Sequence, residues 1–421
     1  MNSRWSRDEG AIPPENVPPP TTEPGGFPHP VASKPAFPLI SRFSAFTRLL
    51  ASAGKCLLVI FSCGSPGWTA LPCQNAEMKI ALDAMGGDHG SAPNLEGARL
   101  ALAAYPEIDT LYLVGHEEEM RHGLTKYGIS DKRVEIVHAT EVVDMHEKAV
   151  GSVRRRSGAS INVATELVKA GRAEAVISAG HTGAAVAASF FKLGRIDGID
   201  RPGILTPFPN EHGICYLIDA GANVDSRPEH LVQQAIMGWT YVKHVHGKEN
   251  PVVGLMSNGE EDSKGNEVTR EVFQRLAVLR DHGFNFRGNI EGRDLLSAPV
   301  DVAVCDGFVG NVLLKGCEGT AKAIKNLMGA EIKKSLLAKL GYLLVRPALK
   351  AAGARMAYET YGGSPLLGVR GVTIIAHGSS NAIAIKNAIR VAAETVSHSV
   401  NPHIEESIAR FLPAIRIAAA S

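Results

Sequence analysis

The chain places small, polar and charged residues directly after short apolar runs, and their types suit the handling of an anion. The densest cluster is Ala376-His377-Gly378-Ser379-Ser380-Asn381. A glycine lets backbone N–H groups come close to a ligand, and two hydroxyls at a helix start can cap the helix or hold phosphate oxygens. Asp83, Gly86, Gly87 and Asp88 form a second such loop, and Gly180-His181-Thr182-Gly183 a third. Asp219 with Asn223, Asn258, and Asp306 with Asn311 and Lys315 stand in comparable places. Lys315 falls one turn after Asn311, on a helix face that can look toward a site. One such loop is ordinary strand-to-helix punctuation; six of them suggest a phosphate-like ligand.

The absent patterns narrow the chemistry. The chain has no G-x-x-x-x-G-K-[ST], no G-x-G-x-x-G after its first strand, no H-E-x-x-H and no G-x-S-x-G. Nucleotide-driven and acyl-serine mechanisms are therefore disfavoured. His244 and His246 read as solvent-facing residues rather than metal ligands, and neither metal nor cofactor is expected.

Positioning these loops is the task of a repeated unit: apolar run, polar glycine-rich loop, amphipathic helix. KIALDA meets MGGDHGSAP and NLEGARLALAAY; AEAVISA meets GHTG and AAVAASFFKLG; VTIIAHGSS meets NAIAIKNAIRVAAETV. Units beginning YLIDAG, PVVGLMSN and VDVAVCDG continue the pattern. Short apolar runs alternating with helical periodicity imply βαβ units, a mainly parallel sheet and an α/β fold of three layers. In such a sheet the loops after the strands gather at one edge, so all six polar segments are expected together there.

The 421 residues, 45% hydrophobic with a net charge of +1, suffice for one large domain or two ordinary ones, and nothing in the charge balance favours nucleic acid. Cys215, Cys305 and Cys317 sit in apolar segments without metal-ligand spacing and read as reduced, packed thiols. Residues 1–77 differ from the rest. Their first part is rich in Pro, Gly, Ser and Thr, and a weakly signal-like apolar run surrounds Cys56–Cys63. They are expected to be a disordered extension or a stretch upstream of a natural start at Met78, with a lipoprotein-type Cys63 the weaker reading. The catalytic domain is then 78–421.

The loops together closely resemble the phosphate acyltransferase (PlsX) family. The matching segments are DAMGGDHG (83–90), ISAGHTGA (177–184), LIDAGANVD (217–225), PEHL (228–231) and NGEEDSKGNE (258–267). FRGNIEGRDLL (286–296), DVAVCDGFVGNVLLK (301–315), YGGSPLLGV (361–369) and AHGSSNA (376–382) follow in family order. The family often has Asn where this chain has His181, and Thr where it has Cys305. The resemblance implies acyl transfer from acyl carrier protein to orthophosphate, giving acyl phosphate for phosphatidic acid synthesis. It also implies a homodimer with a fold similar to phosphotransacetylases and isocitrate/isopropylmalate dehydrogenases. A downstream glycerol-3-phosphate acyltransferase is the implied recipient of the product.

That reaction asks little covalent work of the protein. Phosphate is already an anionic nucleophile, and the leaving thiolate, with a pKa of roughly 8.5 by analogy with cysteine, departs without a strong acid. His377, Gly378, Ser379 and Ser380 are the candidates for phosphate, with Asn311, Asp83, Gly86, Gly87 and Asn258 also assigned to substrate. Lys315 is a candidate catalytic cation. His181 and Thr182 are candidates for the oxyanion, and Asp306 for orienting Lys315 or taking a proton.

Residues 331–355 break the rhythm. Leu336, Leu337, Leu340 and Leu344 share a helical stripe flanked by Lys333, Lys334 and Lys339, and Pro347 suggests a helical hairpin. An apolar stripe with basic flanks suits an anionic membrane surface, a carrier protein or dimer packing, with the membrane favoured. The enzyme is thus expected in the cytoplasm, peripherally bound to membrane. Three rivals remain: a coenzyme A-dependent short-chain phosphotransacetylase, a nicotinamide-dependent decarboxylating dehydrogenase and a non-catalytic membrane scaffold.

Overall fold

A computed structural model describes residues 77–144 and 147–420. The expectations for residues 1–76, with Cys56, Cys63 and Cys73, lie outside the described residues.

The first half comprises β1 (Lys79–Asp83), α1 (Ser91–Ala104), β2 (Thr110–Gly115), α2 (Glu117–Tyr127) and β3 (Val134–His138). It continues through α3 (Ala149–Arg155), α4 (Ser160–Lys169), β4 (Ala175–Ser178) and α5 (Thr182–Lys192). The second half runs β5 (Gly203–Asn210), β6 (Gly213–Ile218), α6 (Pro228–Val245), β7 (Val253–Met256), α7 (Glu267–Val278), β8 (Phe286–Ile290), α8 (Asp294–Ser297) and β9 (Val302–Val304). Two long helices follow, α9 (Gly307–Lys334) and α10 (Leu336–Met356), then the short α11 (Tyr358–Tyr361). β10 (Ser364–Leu367), β11 (Val372–Ile375), α12 (Ala382–Ser397) and α13 (Val400–Ala420) complete the chain.

One sheet of eleven strands has the order β3-β2-β1-β4-β11-β10-β5-β6-β9-β7-β8. Alternate residues of β1 explain the layers. Ile80 and Leu82 enter an apolar cluster with α1 and α12, whereas Ala81 enters one with α4 and α5. Ile218 of β6 faces α6, α7 and α13, and Leu217 beside it joins a cluster that the start of α9 covers. Strands buried on both faces read as continuous apolar runs, and three layers result as expected.

The expectation of a single loop edge fails. β1, β2, β3, β4 and β11 are parallel to one another, and β6, β7, β8 and β9 are parallel to one another. Between these sets β10 is antiparallel to both β11 and β5, and β5 is antiparallel to β6. The two sets therefore run in opposite senses, and their loops leave the sheet in opposite directions. The cause is local. Asn210 pairs with Gly213 across a two-residue turn, Glu211-His212, and Gly213 has φ of 134°. A hairpin this tight forces the next strand to reverse.

The helical hairpin also differs from expectation. It spans α9 and α10, and the chain turns at Ser335, not at Pro347, which lies inside α10. Ser335 is extended (φ −129°, ψ 137°), and its hydroxyl accepts from the N–H of Ala338. That is an N-cap, which starts a helix. A proline removes one hydrogen bond, a loss an exposed helix can accommodate. Beyond Gly310 no described residue of α9 is buried, and Leu336, Leu337 and Leu344 are 83%, 79% and 78% exposed.

Cys215 and Cys305 are buried free thiols and Cys317 is half-buried; burial pushes the Cys215 thiol up to about 12. His246 is exposed as expected and bonds to the Tyr216 hydroxyl. His244 departs from a purely solvent-facing place: it is half-buried and stacks on His403 of α13 at 3.7 Å. Among the described residues no cluster of His, Cys, Asp or Glu has the makings of a metal site.

α1 and α12, the helices after the first and last polar loops, cross at Gly97. A Cβ there would sit 2.5 Å from Cβ of Ile385. Gly97→Val should therefore cost about 1–3 kcal/mol through overpacking. It should appear as a lower urea midpoint with unchanged far-UV circular dichroism.

Candidate active site

Three loops of the first half meet above β1, β4 and β11. Asn94 of α1 folds the first of them by donating from Nδ2 to the carbonyls of Ala84 and Gly86 at 3.0 and 2.8 Å. The Asp88 N–H donates to the Gly378 carbonyl at 2.8 Å, joining the first loop to the last. Gly86 presses on the middle loop, where a Cβ would lie 2.6 Å from the nitrogen of Gly180. Gly87 has φ of 112° and would bring a Cβ within 3.2 Å of the Gly378 carbonyl. Only glycine suits these two positions.

Beneath the loops lies Asp83, 2% exposed. The Gly180 N–H donates to the Ser178 hydroxyl at 3.1 Å, and that hydroxyl donates to Oδ2 of Asp83 at 2.7 Å. The carboxyl borders a small hollow lined also by Ser160, Ser178, Gly180 and His181. Burial pushes the Asp83 carboxyl up, while Ser160, Ser178 and the N–H groups of Met85 and Gly86 draw it back. A second hollow is lined by Gly86, Gly87, His89, Asn94, Gly378 and Ser380.

The last loop separates capping from binding. Asn381, not a serine, caps α12: its Oδ1 accepts from the N–H groups of Ile383 and Ala384, both at 3.0 Å. Ser380 is 4% exposed, and its hydroxyl has no hydrogen-bond partner. The Ser379 N–H donates to Nδ1 of His377 at 3.1 Å, which leaves the proton of a neutral ring on Nε2. That nitrogen lies 3.3 Å from Nζ of Lys315, so two donors face each other. An anionic oxygen accepting from both would stabilise the pair.

Lys315 comes from the other half of the sheet. α9 starts at the far edge and carries it back, with Asn311 one turn earlier beside Gly221. Asp306 does not orient Lys315. Its Oδ1 caps α9 by accepting from the Val309 N–H, and nine residues of helix, about 14 Å, separate the two. Lys315 pairs instead with Glu318 at 2.9 Å. Asn258 likewise stays apart, its Oδ1 accepting from the Gly265 N–H within a loop of the far half.

His181 is engaged by its own helix. Nδ1 accepts from the Ala184 N–H at 3.3 Å, so Nε2 bears the proton and donates to the Glu147 carbonyl at 3.2 Å. The side chain thus caps α5, as an asparagine would, and offers no nitrogen to an oxyanion. Thr182 is exposed at the first position of α5. Ser178, Ser160 and Asn94 escaped the sequence reading, since each is a polar residue within an apolar run or a helix. Asp219 is a brace: fully buried, it accepts five N–H bonds, from Ile204, Gly221, Ala222, and the backbone and side chain of Asn223.

A family model described as "Fatty acid synthesis protein" matches residues 78–403. A phosphate acyltransferase from Akkermansia muciniphila is 50% identical over 336 residues, covering 79% of this chain and 96% of that one. Another from Pelotomaculum thermopropionicum is 53% identical over 331 residues, covering 79% and 95%. The resemblance read from the loops is borne out. Among solved structures, a phosphotransacetylase from Streptococcus pyogenes shows a TM-score of 0.49 at 18% identity over 76% of this chain and 94% of that one, a likeness too distant to bear on activity.

The raised Asp83 has a consequence for stability. The folded chain holds this proton to higher pH than the unfolded chain, whose carboxyl titrates near pH 3.9. The contribution is therefore full below that value and is lost as pH rises through the folded-state value. Asp83→Asn cannot ionise, so its urea midpoint should gain on the parent's between pH 4.5 and pH 8.

Proposed function

The chain belongs to the phosphate acyltransferase family, and from that premise we propose that it transfers a long-chain acyl group from acyl carrier protein to orthophosphate. The observation that supports the site assignment is Lys315 facing Nε2 of His377 at 3.3 Å, with the buried, unpartnered hydroxyl of Ser380 three residues on in the same loop and Ser379 bonded to Nδ1 of His377 from behind. The glycine backbones at 86, 87 and 378 line the neighbouring hollow, and Asn311 lies one turn before Lys315 on α9.

Hydrogen phosphate, held by these donors, attacks the thioester carbonyl and forms a tetrahedral oxyanion. The backbone N–H groups at the start of α5, at Thr182 and Gly183, point where a helix terminus favours negative charge. The C–S bond then breaks, and the leaving thiolate takes the proton that phosphate gives up. Acyl phosphate and free thiol result, so atoms and charge balance. Asp83 sits one layer below and holds the Ser178 relay rather than the anion itself. No cofactor is needed for these steps.

The enzyme works in the cytoplasm as a homodimer, peripherally bound to an anionic membrane, and passes acyl phosphate to a glycerol-3-phosphate acyltransferase. In support, Ile324, Leu327 and Met328 of α9 and Leu336, Leu337, Leu340 and Leu344 of α10 are all exposed, and a group of exposed apolar side chains marks an interaction surface. Lys333, Lys334 and Lys339 flank the leucines at the turn, as lipid headgroups favour. Among the described residues no helix is long and apolar enough to cross a membrane.

The reaction is tested by incubating the protein with palmitoyl-carrier protein and orthophosphate and following free thiol. Release should depend on phosphate. Ser380→Ala should raise the phosphate KM about tenfold or more, the worth of one hydrogen bond to a charged group, and Ser379→Ala/Ser380→Ala should raise it further. Release without phosphate dependence would remove the assignment. In the membrane test, Leu336→Asp/Leu340→Asp should abolish sedimentation with phosphatidylglycerol vesicles while leaving the phosphate KM unchanged; continued sedimentation would free the hairpin from that role.

A further inference from the structure

The acyl donor must reach the start of α5, and the surface that leads there has a definite chemistry. α3 and α5 lie side by side in the same sense. Their first turns touch, since a Cβ on Gly183 would lie 3.0 Å from Cβ of Ala149. Their far ends touch as well: the Arg154 guanidinium lies over the Phe191 ring at 4.6 Å. Phe191 meets Phe190 edge to face at 5.5 Å, and Arg201 lies over Phe190 at 5.9 Å. Arg154, Arg155 and Arg201 are exposed, and none is ion-paired with another described residue. Phe191 and Val150 are 45% and 48% exposed, unusual for large apolar side chains on helices whose other faces pack well.

The run Lys148–Arg156 contains four basic residues and no acid. The preceding Glu147 is already engaged by Arg156. Asp197 is likewise paired, with Arg370, and Asp200 at the patch margin is paired with Arg195 at 4.0 Å. The surplus is therefore positive, around two aromatic rings and leading toward the mouth of the site.

We infer that this arginine and phenylalanine surface at the far ends of α3 and α5 docks the acidic carrier protein that delivers the acyl thioester. The inference rests on the carrier-thioester reading above. Distance selects this surface over the hairpin. From Thr182 to Phe191 is nine helical residues, about 14 Å, whereas from Lys315 to the turn at Ser335 is twenty, about 30 Å. A phosphopantetheine arm has the backbone length of about five residues and spans roughly 17 Å when extended. It reaches the site from the first surface and falls short from the hairpin turn. Charge supplies the encounter, with rings to cover once the partner is seated.

The test uses the full chain with two donors bearing the same acyl group, palmitoyl-carrier protein and palmitoyl-pantetheine, at saturating phosphate. Arg154→Glu/Arg155→Glu/Arg201→Glu should raise the KM for the carrier donor at least tenfold, leave its kcat unchanged, and leave both constants for palmitoyl-pantetheine unchanged. The Gln triple variant, which removes charge without reversing it, should fall between. Raising salt to about 0.5 M should narrow the gap between parent and variant, as screening requires. An unchanged carrier KM in the Glu variant would overturn the docking surface, and so would an equal rise for both donors. If the parent itself releases no thiol from either donor in the presence of phosphate, the acyltransferase reading fails instead.

Discussion

A cation has to cross from one half of the sheet to the other. β1, β4 and β11 deliver their loops to one edge, while β6, β7, β8 and β9 run the opposite way, because the chain reverses over two residues between Asn210 and Gly213. A helix leaving β9 therefore begins at the wrong edge for the site and must run back along the sheet. α9 does so, and Lys315, two turns in, arrives beside His377. The partition follows. The half bearing β1, β4 and β11 contributes backbone N–H groups and hydroxyls, which need close loop packing. The other half contributes reach, through one long helix.

The second constraint is a buried acid under an anion site. A carboxylate below a phosphate would repel it, and burial already opposes the charge on Asp83. The Ser178 hydroxyl is committed to Asp83 on one side and receives the Gly180 N–H on the other, so the middle loop is tied down from below. Gly86 then approaches Gly180 without a side chain between them. Asp219 performs a comparable service in the other half, where five N–H donors hold its carboxylate. In both halves an aspartate at a strand end shapes a loop and leaves the ligand to other groups.

Much of this could be read from residues alone, for reasons of local chemistry. Alternating apolar runs and amphipathic helices carry the three layers, and the loops at 83–90, 180–183 and 376–381 assemble because their strands are parallel neighbours around β1, β4 and β11. The common edge for all six loops did not follow, since parallelism within each half says nothing of the relation between halves. That relation hangs on NEHG, a turn short enough to pass as a break within one apolar stretch. Side-chain roles were less legible still. His181 and Asp306 look reactive by type yet spend their acceptors on helix N-termini, and Asn381 takes the cap that Ser379 or Ser380 was thought to fill. Ser178, ending an apolar strand, gave no outward sign of its bond to Asp83. Ser335 is an ordinary N-cap signal, overshadowed by a more conspicuous proline.

One further consequence belongs to α9. The same uninterrupted helix holds Lys315 near its start and leads to the leucine-bearing turn at its end, so the two are related by a screw as well as by a length. Each inserted residue would move the tip about 1.5 Å outward and swing it about 100° around the axis. Insertions of seven nearly restore the angle, whereas two would point the leucines to the opposite side. Evolution can therefore lengthen this arm by near-whole numbers of turns, such as about seven or eleven residues, but not by single residues, and its register acts as a gauge of both standoff and heading.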